Sequence, residues 1–268
     1  MNYIKISFPI QNQNDADTIS ALLCDLPTDG SEQTESALHI FFAESQFDEV
    51  EIKNRVASFP FTSEIIPYQN WNAVWESNFE PIQINSQVGV RAHFHPPFVD
   101  CKYDIVITPK MSFGTGHHET TQMMMTMMNE LEYSNKDVLD FGCGTGVLAI
   151  FSKLKGAAIV KGIDNDEWSV ENSIENCRNN HCEDIEISIQ PLESIDYPYD
   201  IILANINLNV LLETLPKLYS ILKPKGDLLL SGILDTDFLS IQNCFTSLGF
   251  TLIAQQQKKN WIALHIQK

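Results

Sequence analysis

A glycine-rich turn is the feature that most constrains how this chain of 268 residues folds. Residues 138–147 read Val-Leu-Asp-Phe-Gly-Cys-Gly-Thr-Gly-Val, so an apolar stretch leads into glycines at 142, 144 and 146. Turns of this kind join the first buried strand of a nucleotide-binding α/β fold to the helix that follows it. The segment therefore predicts a parallel α/β sheet with a ligand site at the carboxyl ends of its strands.

Strand and helix patterns alternate on both sides of this turn. Such alternation is typical of a doubly wound, mostly parallel sheet, and the last two strands predict an antiparallel edge. A Lys-Pro-Lys-Gly run at 223–226 predicts a turn between a helix and the next strand. The predicted helices are 120–131, 147–155, 167–179, 208–222 and 237–248, and the predicted strands are 82–94, 103–108, 138–140, 159–163, 185–189, 199–203, 227–231, 251–255 and 261–266.

The first 70 residues have the shorter order β-α-β-α-β. Strand patterns occupy 3–8, 37–42 and 64–67, and helical spacing follows a cap at Asn14 or Asp15 and returns at 48–56. The polar stretch 28–35 predicts a turn that leaves room for one further strand. This order suits a small α+β domain of the split β-α-β (ferredoxin-like) type, which we assign to residues 1–68.

An aromatic stripe follows this N-terminal domain. Trp71, Trp75 and Phe79 recur at i, i+4 and i+8, which places them on one face of a helix. We assign residues 69–80 to a linker helix that packs between a substrate-recognition domain and a catalytic domain at 81–268. A ligand-binding role for the stripe is the alternative.

The chain is strongly acidic, and its charge limits the classes of partner. Its 17 Lys+Arg and 35 Asp+Glu give a formal charge of −18 at pH 7, which repels phosphate and argues against non-specific nucleic-acid binding. The same charge suits a basic partner, or serves only solubility. The net negative charge per residue is highest over residues 1–70, which hold 11 acidic and 3 basic side chains.

Other classes of protein are disfavoured by what the sequence lacks. No segment approaches the roughly 20 apolar residues of a membrane span, and the N-terminus has no signal-peptide core. The six cysteines include no C-x-x-C pair, and the adjacent His117 and His118 point apart on an extended segment. We therefore expect a cytoplasmic protein without a disulfide framework or a metal site.

Spacing within the glycine turn distinguishes among nucleotide ligands. A dinucleotide fingerprint needs glycine or alanine where Val147 stands, and the Lys-Ser/Thr pair of a P-loop is missing. Gly142 and Gly144 instead let the backbone pass close to an uncharged face of a ligand. This suits S-adenosylmethionine, a cofactor without phosphate, and a purely structural glycine turn is the alternative.

Two carboxylates flank the turn in the predicted sheet. Asp164 lies 22 residues after Gly142, at the end of the next strand, where a carboxylate can accept hydrogen bonds from both ribose hydroxyls. Asp140 ends the first strand. Its carboxylate either faces the ammonium group of the cofactor or belongs to a plain strand-end turn.

Asn205 and Ile206 end another strand at the same edge of the predicted sheet. The amide oxygen of Asn205 and the carbonyl of Ile206 can orient the protons of an amine. They also stabilise the positive charge that grows on its nitrogen during methylation. The alternative is an asparagine that caps the next helix.

Five short stretches carry a family resemblance: Phe-Gly-Thr-Gly-His-His-Glu-Thr-Thr at 113–121, Asp-Phe-Gly-Cys-Gly-Thr-Gly-Val-Leu-Ala-Ile at 140–150, Gly-Ile-Asp at 162–164, Ala-Asn-Ile at 204–206 and Leu-Ser-Gly-Ile-Leu at 230–234. With Trp-Asn-Ala-Val-Trp at 71–75, they resemble the ribosomal large-subunit protein eleven methyltransferases (PrmA type). The resemblance implies a class I, S-adenosylmethionine-dependent methyltransferase with a Rossmann-like catalytic domain and a split β-α-β N-terminal domain.

The resemblance also implies roles for individual residues and a partner. It assigns cofactor contacts to Thr121, Gly142, Asp164 and Asn205, and it places Phe113 in a flexible loop over the cofactor. In the family, the N-terminal domain holds a ribosomal protein whose lysine side chains and N-terminal amine are methylated. The implied protein is a monomer that acts on a basic ribosomal protein, with no direct nucleic-acid partner and no membrane.

One stretch departs from the family pattern. The family usually has threonine and then His-Pro in the loop, whereas His117-His118-Glu119 stands here; without proline the loop is less rigid, and it gains a charge. Two other functions stay open. One is methylation of a small amine or of a glutamine amide, as in relatives with Asn-Pro-Pro-Tyr at the position of Asn205, and the other is a non-catalytic cofactor-binding module.

Overall fold

Two units make up the chain in the computed structural model, which describes residues 2–67, 80–110 and 114–268. Contacts between residues divide the chain into 1–78 and 79–268. The aromatic stripe of Trp71, Trp75 and Phe79 lies outside the described residues, as does the linker helix expected over 69–80 apart from its last position. Each unit is therefore described by itself.

The N-terminal unit is an antiparallel sheet with two helices packed on one face. Its elements are β1 (Tyr3–Pro9), α1 (Gln13–Leu23), β2 (Thr28–Gln33), β3 (Ala37–Ala43), α2 (Glu49–Arg55) and β4 (Thr62–Ile66). The strand order is β2-β3-β1-β4. Alternate side chains of β1, Ile4, Ile6 and Phe8, are buried against Ile19 and Ile52 of the two helices. This is the split β-α-β, ferredoxin-like arrangement that the sequence predicts.

The structure refines one local expectation for this unit and corrects another. The polar stretch at 28–35, expected to be a turn with room for one further strand, contains the edge strand β2, whose six residues are all exposed. A strand without a buried face shows no alternation of apolar and polar residues, so its pattern does not give its bounds. Helix α1 is capped by Asn12, whose side chain accepts the Asp15 backbone N–H at 3.2 Å; neither Asn14 nor Asp15 is the cap.

The C-terminal unit contains a small three-stranded sheet and a large seven-stranded one. The strands of the small sheet are β5 (Ile82–Ile84), β6 (Val88–Arg91) and β7 (Tyr103–Val106). The strands of the large sheet are β8 (Asp137–Phe141), β9 (Ile159–Asp164), β10 (Glu186–Ile189), β11 (Tyr199–Asn205), β12 (Leu222–Leu234), β13 (Thr251–Lys258) and β14 (Trp261–Gln267). The helices are α3 (Glu119–Glu130), α4 (Val147–Leu154), α5 (Glu167–Asn179), α6 (Leu208–Ile221) and α7 (Phe238–Ser247).

The large sheet has the order β10-β9-β8-β11-β12-β14-β13. β14 pairs antiparallel with both β12 and β13, and the pairs from β10 to β12 are parallel. Separate apolar clusters cover the sheet, one with Val138 and one with Leu139. The predicted doubly wound, mostly parallel sheet is confirmed. Among the described residues, no helix is both long enough and apolar enough to cross a membrane.

The expected turn at 223–226 lies inside β12, which runs unbroken from 222 to 234. The strand pairs Leu222 with Tyr199 but Asp227 with Ile201, so the register shifts between them. Lys225 in this shifted segment has a φ of 61°, a value that ordinary strand residues avoid. The turn residues thus make an irregularity within a strand instead of ending one.

Candidate active site

A cleft of about 530 Å³ opens at the carboxyl ends of β8, β9 and β11. Ligands bind at this edge of open α/β sheets. Of the site residues predicted from the sequence, five line the cleft: Gly142, Gly144, Asp164, Asn205 and Ile206. Asp140 and Thr121 are almost completely buried and are not part of the lining. Phe113 lies outside the described residues.

The glycine turn approaches the next strand and the cleft by backbone alone. The N–H groups of Gly142 and Cys143 donate to the Ile163 carbonyl at 2.9 and 3.1 Å. Gly142 has a φ of +74°, and a Cβ there would lie 2.4 Å from Cγ2 of Ile206. A side chain at 142 would therefore fill the space where the turn faces the end of β11.

Asp164 ends β9 with its carboxylate held by three backbone donors. Oδ2 accepts the Gly144 N–H at 2.9 Å, and Oδ1 accepts the N–H groups of Asn165 and Asp166 at 2.8 and 3.1 Å. Each carboxylate oxygen has two lone pairs, so Oδ2, which accepts only one of these bonds, can accept a further hydrogen bond from the cleft. The arrangement gives a fixed negative charge beside the glycine turn, as expected for a group that holds sugar hydroxyls.

Asp140 has a different environment from Asp164. It is 1% exposed, and its Oδ2 accepts the Ala149 backbone N–H at 3.0 Å. Within the described chain Oδ1 has no hydrogen-bond partner. Burial raises the pKa of this carboxyl group to about 7, and the charge of Asp164 acts in the same direction. The contact with Ala149 makes Asp140 an anchor between β8 and α4, and its expected contact with an ammonium group stays a prediction.

The side-chain amide of Asn205 contacts the hydroxyl of the buried Thr121. Nδ2 donates to Oγ1 of Thr121 at 3.4 Å, whereas Oδ1 is buried without a partner among the described residues. The capping role considered for Asn205 belongs to Asn207, whose side chain accepts the Val210 N–H at 3.2 Å. An unpaired buried oxygen is costly, so the Asn205 side chain is suited to a ligand that donates a hydrogen bond.

Ile206 continues from β11 against β12, and a glycine makes this contact possible. The Ile206 N–H donates to the Ser231 carbonyl at 3.2 Å. Gly232 has a φ of +84°, and a Cβ there would lie 2.3 Å from the Ile206 carbonyl oxygen. Gly232 belongs to the 230–234 stretch of the family resemblance. The sequence does not indicate that it lies at the site, because the contact depends on how β11 and β12 are aligned.

The start of α3 supplies another part of the cleft. His118 caps the helix through Nδ1, which accepts the Thr120 N–H at 3.3 Å, and its ring meets the Trp261 ring edge-to-face at 5.0 Å. Glu119, the charge that departs from the family pattern, pairs with Lys259, which lowers the pKa of its carboxyl group. The lost proline is thus accompanied by an ion pair that ties this helix to the β13–β14 turn.

Other parts of the cleft were missed by sequence reasoning. Residues 190–193, which follow β10, line it with Ser169 and Trp261. Polar residues just after a strand end were the available signal, but their position depends on β10 being the neighbour of β9. Across the described residues no three His, Cys, Asp or Glu side chains come together as metal ligands.

The chain matches known proteins over nearly its whole length. The family model described as ribosomal protein L11 methyltransferase (PrmA) matches residues 9–268. The chain belongs to this family. A ribosomal protein L11 methyltransferase of Porphyromonas gingivalis is 38% identical over 98% of this chain and 97% of its own length. One of Phocaeicola vulgatus is 34% identical over 98% of each.

A solved structure supports the same family membership. A ribosomal protein L11 methylase of Lactobacillus delbrueckii subsp. bulgaricus has a TM-score of 0.65 and 29% sequence identity to this chain. The match covers 70% of this chain and 98% of that one. The family resemblance, the Rossmann-like methyltransferase fold and the enzyme class expected from the sequence are confirmed.

Proposed function

We propose that this protein transfers methyl groups from S-adenosylmethionine to lysine side-chain and N-terminal amines of ribosomal protein L11. The observation that carries this proposal is the unpaired, buried Oδ1 of Asn205 at the end of β11. The residue Asn205 lines the cleft together with Gly142, which supports a site where an amine meets a cofactor. The names of the relatives support the protein substrate.

The β9 side of the cleft, which we define as Gly142, Gly144, Ile163, Asp164 and residues 190–193, fits the proposed cofactor. Gly142 places no side chain between the turn and the end of β11, and Oδ2 of Asp164 can accept a hydrogen bond from a ribose hydroxyl. The lining has the apolar residues Ile163 and Leu192 beside the polar Gln190, a mixture that suits a planar base with polar edges. S-adenosylmethionine supplies an activated methyl group when it is bound there.

The β11 side of the cleft, which we define as Asn205 and Ile206, fits an acceptor amine. Oδ1 of Asn205 and the Ile206 carbonyl accept hydrogen bonds from its N–H groups and stabilise the charge that develops on nitrogen. The carboxylates in the described lining, Asp164 and Glu193, both belong to the β9 side. An uncharged environment disfavours an ammonium ion and lowers the pKa of a lysine amine from its usual value of about 10.4. Desolvation thus delivers the neutral amine that methylation requires.

The N-terminal domain, residues 1–68, holds the protein substrate in this proposal. Its excess of acidic side chains complements a basic ribosomal protein and speeds their encounter at low salt. A monomer in the cytoplasm, where ribosomal proteins are made, acts on the free protein without binding nucleic acid directly. Raising the salt concentration should therefore raise the KM for the protein substrate more than the Kd for the cofactor.

The test is a labelling experiment with competing acceptors. Purified protein receives methyl-labelled S-adenosylmethionine with ribosomal protein L11, other ribosomal proteins, ribosomal RNA, glutamine-containing peptides or small amines. We expect label on lysine and N-terminal amines of ribosomal protein L11, located by mass spectrometry. Label on RNA, on glutamine or on small amines alone would contradict the proposal, and cofactor binding without any transfer would favour the non-catalytic module.

A further inference from the structure

The glycine turn contains one side chain that the proposed chemistry does not use. Thr145 is fully buried and is not part of the cleft lining. Its hydroxyl donates to the Gly114 carbonyl at 2.6 Å, across 31 positions of the sequence. The turn is therefore attached to a second loop, residues 114–118, which leads to the first residue of α3.

The absence of a side chain at Gly114 leaves room for the Thr145 hydroxyl. Gly114 has a φ of +102°, and a Cβ there would lie 2.9 Å from Oγ1 of Thr145. That distance is too short for a carbon and an oxygen that are not bonded, so a side chain at 114 would displace the threonine. The loop can approach the turn this closely only because position 114 is glycine.

Thr145 is itself held from its other side by α5. Asn176, fully buried, donates from Nδ2 to the Thr145 carbonyl at 2.9 Å and accepts the Thr108 N–H at 2.7 Å. Ser173 donates from its hydroxyl to the neighbouring Gly144 carbonyl at 2.8 Å. Breaking any of these bonds leaves a buried polar atom unpaired. Thr145 is therefore a fixed point to which the loop at 114–118 is attached.

The same loop leads directly to the β11 side of the cleft. His117 contacts the Glu80 carbonyl through Nε2 at 2.9 Å, and His118 caps α3 and lines the cleft. Thr121, in the first turn of α3, accepts the amide N–H of Asn205. Gly114 lies four residues before the cap of α3, and α3 in turn supports the amide proposed to face the acceptor amine.

We infer that Thr145 is a positioning residue, whose hydroxyl fixes the loop at 114–118, and with it the β11 side of the cleft, relative to the glycine turn. The inference rests on the methyl transfer proposed above. The backbone of the turn and the carboxylate of Asp164 hold the cofactor side without this hydroxyl. Its loss therefore acts on methyl transfer more than on cofactor affinity.

Two substitutions separate positioning from packing. Thr145→Val removes the hydroxyl at nearly constant volume, and Thr145→Ser keeps the hydroxyl but removes a buried methyl group. We expect Thr145→Val to lower kcat about tenfold, the order expected for one buried hydrogen bond. Its Kd for S-adenosylhomocysteine, measured by calorimetry, should change less than about threefold on the same reasoning. Thr145→Ser should retain kcat although the lost methyl group lowers its thermal stability.

Thr126→Val is the matched control, because its hydroxyl also donates to a backbone carbonyl, that of Gln122, at 2.8 Å within α3. This control should retain kcat. Hydrogen exchange of the 114–118 amides should accelerate in Thr145→Val and not in Thr145→Ser. If the wild type is active, the inference would be overturned by a normal kcat in Thr145→Val or by an equal loss of kcat in both Thr145 variants. A wild type that transfers no methyl group would refute the proposed function, and the exchange rates would still test the attachment of the loop.

Discussion

The two sides of the cleft differ in how completely their polar groups are paired. On the β9 side, three backbone donors hold the Asp164 carboxylate before any ligand arrives. On the β11 side, the side chain of Asn205 makes one long hydrogen bond through Nδ2, and its buried Oδ1 has no partner in the described structure. A carboxylate that backbone donors hold in place suits a ligand that stays in one position, whereas an unpaired acceptor favours a group that completes it only during reaction.

Asn205→Ala tests the β11 side and should give the largest effect. Removal of the acceptor for the developing charge should lower kcat by about 10²–10³-fold, the usual cost of one such group. The affinity for S-adenosylhomocysteine should fall much less. Asn207→Ala is the control, since Asn207 caps α6 and its loss should reduce stability more than transfer. Equal losses of transfer and cofactor affinity in Asn205→Ala would remove the difference between the two sides.

Asp164→Asn tests the β9 side, where the expected effect is on binding. Loss of the charged acceptor should raise the Kd for S-adenosylhomocysteine by about 10–100-fold, the range for charge-assisted hydrogen bonds. Asp166→Asn is matched to it, because Asp166 caps α5 through the Ser169 N–H at 2.8 Å and asparagine caps equally well. Calorimetry should show unchanged affinity for that control. Weak binding in both variants would instead indicate a general effect on α5.

Gly142→Ala tests whether the two sides meet at the glycine turn. The added Cβ clashes with Ile206, and the positive φ adds strain, so we expect a loss of about 1–3 kcal/mol in stability and weaker cofactor binding. Gly30→Ala in the N-terminal unit is the control. Gly30 has a φ of +149°, and no atom lies within 4 Å of the position of the added Cβ. This control should leave cofactor affinity unchanged, so that the difference measures the clash. Unchanged binding in Gly142→Ala would show that the turn does not approach the ligand.

Asp140→Asn should have the smallest effect on cofactor binding and methyl transfer, and its effect on stability should depend on pH. The pKa of Asp140 is raised to about 7 in the folded protein, so the folded state retains a proton that the unfolded chain loses near pH 4. The contribution of this group to stability is therefore present at low pH and lost as the pH rises from about 4 to 7, by at most about 1.4 kcal/mol per pH unit.

Asparagine resembles the protonated carboxyl and does not ionise. The stability of Asp140→Asn relative to the wild type, measured by denaturant unfolding without cofactor, should therefore rise between about pH 4 and 7 and then level off. A constant difference across this range would show that Asp140 is ionised in the folded protein. Asp140 and Asp164 would then both be charged beside the turn. That result would contradict the difference in environment that we infer between these two carboxyl groups.

The local parts of the site could be predicted from the sequence. The glycine turn, the helix that follows it and Asp164 all depend on short spacing, because one strand, one turn and one helix set their relative positions. The contact between Thr121 and Asn205 joins residues 84 positions apart. It requires α3 to pack beside β11, and no spacing in the sequence encodes that distance.

Two segments of strand that local patterns indicate poorly have the same explanation. β2, for which the sequence only leaves room, has no buried face, and the residues at 223–226 have turn chemistry but lie within β12. In both places the hydrogen bonds of a neighbouring strand decide the conformation, and local propensity does not include that neighbour. Asp140 contacts the Ala149 N–H, and its expected contact with an ammonium group stays a prediction.

The sequence by itself determined the class of fold, the glycine turn and the acidic group at the end of the next strand. Their signals are apolar periodicity, glycine and fixed spacing, which act within a few residues of chain. The tertiary structure decided which polar atoms are paired and which are left open. Oδ1 of Asn205 lacks a partner, and Oγ1 of Thr145 has one, because distant segments pack around each of them. Hydrogen bonding between distant segments depends on ångström-scale distances, and these exist only once the sheet has assembled.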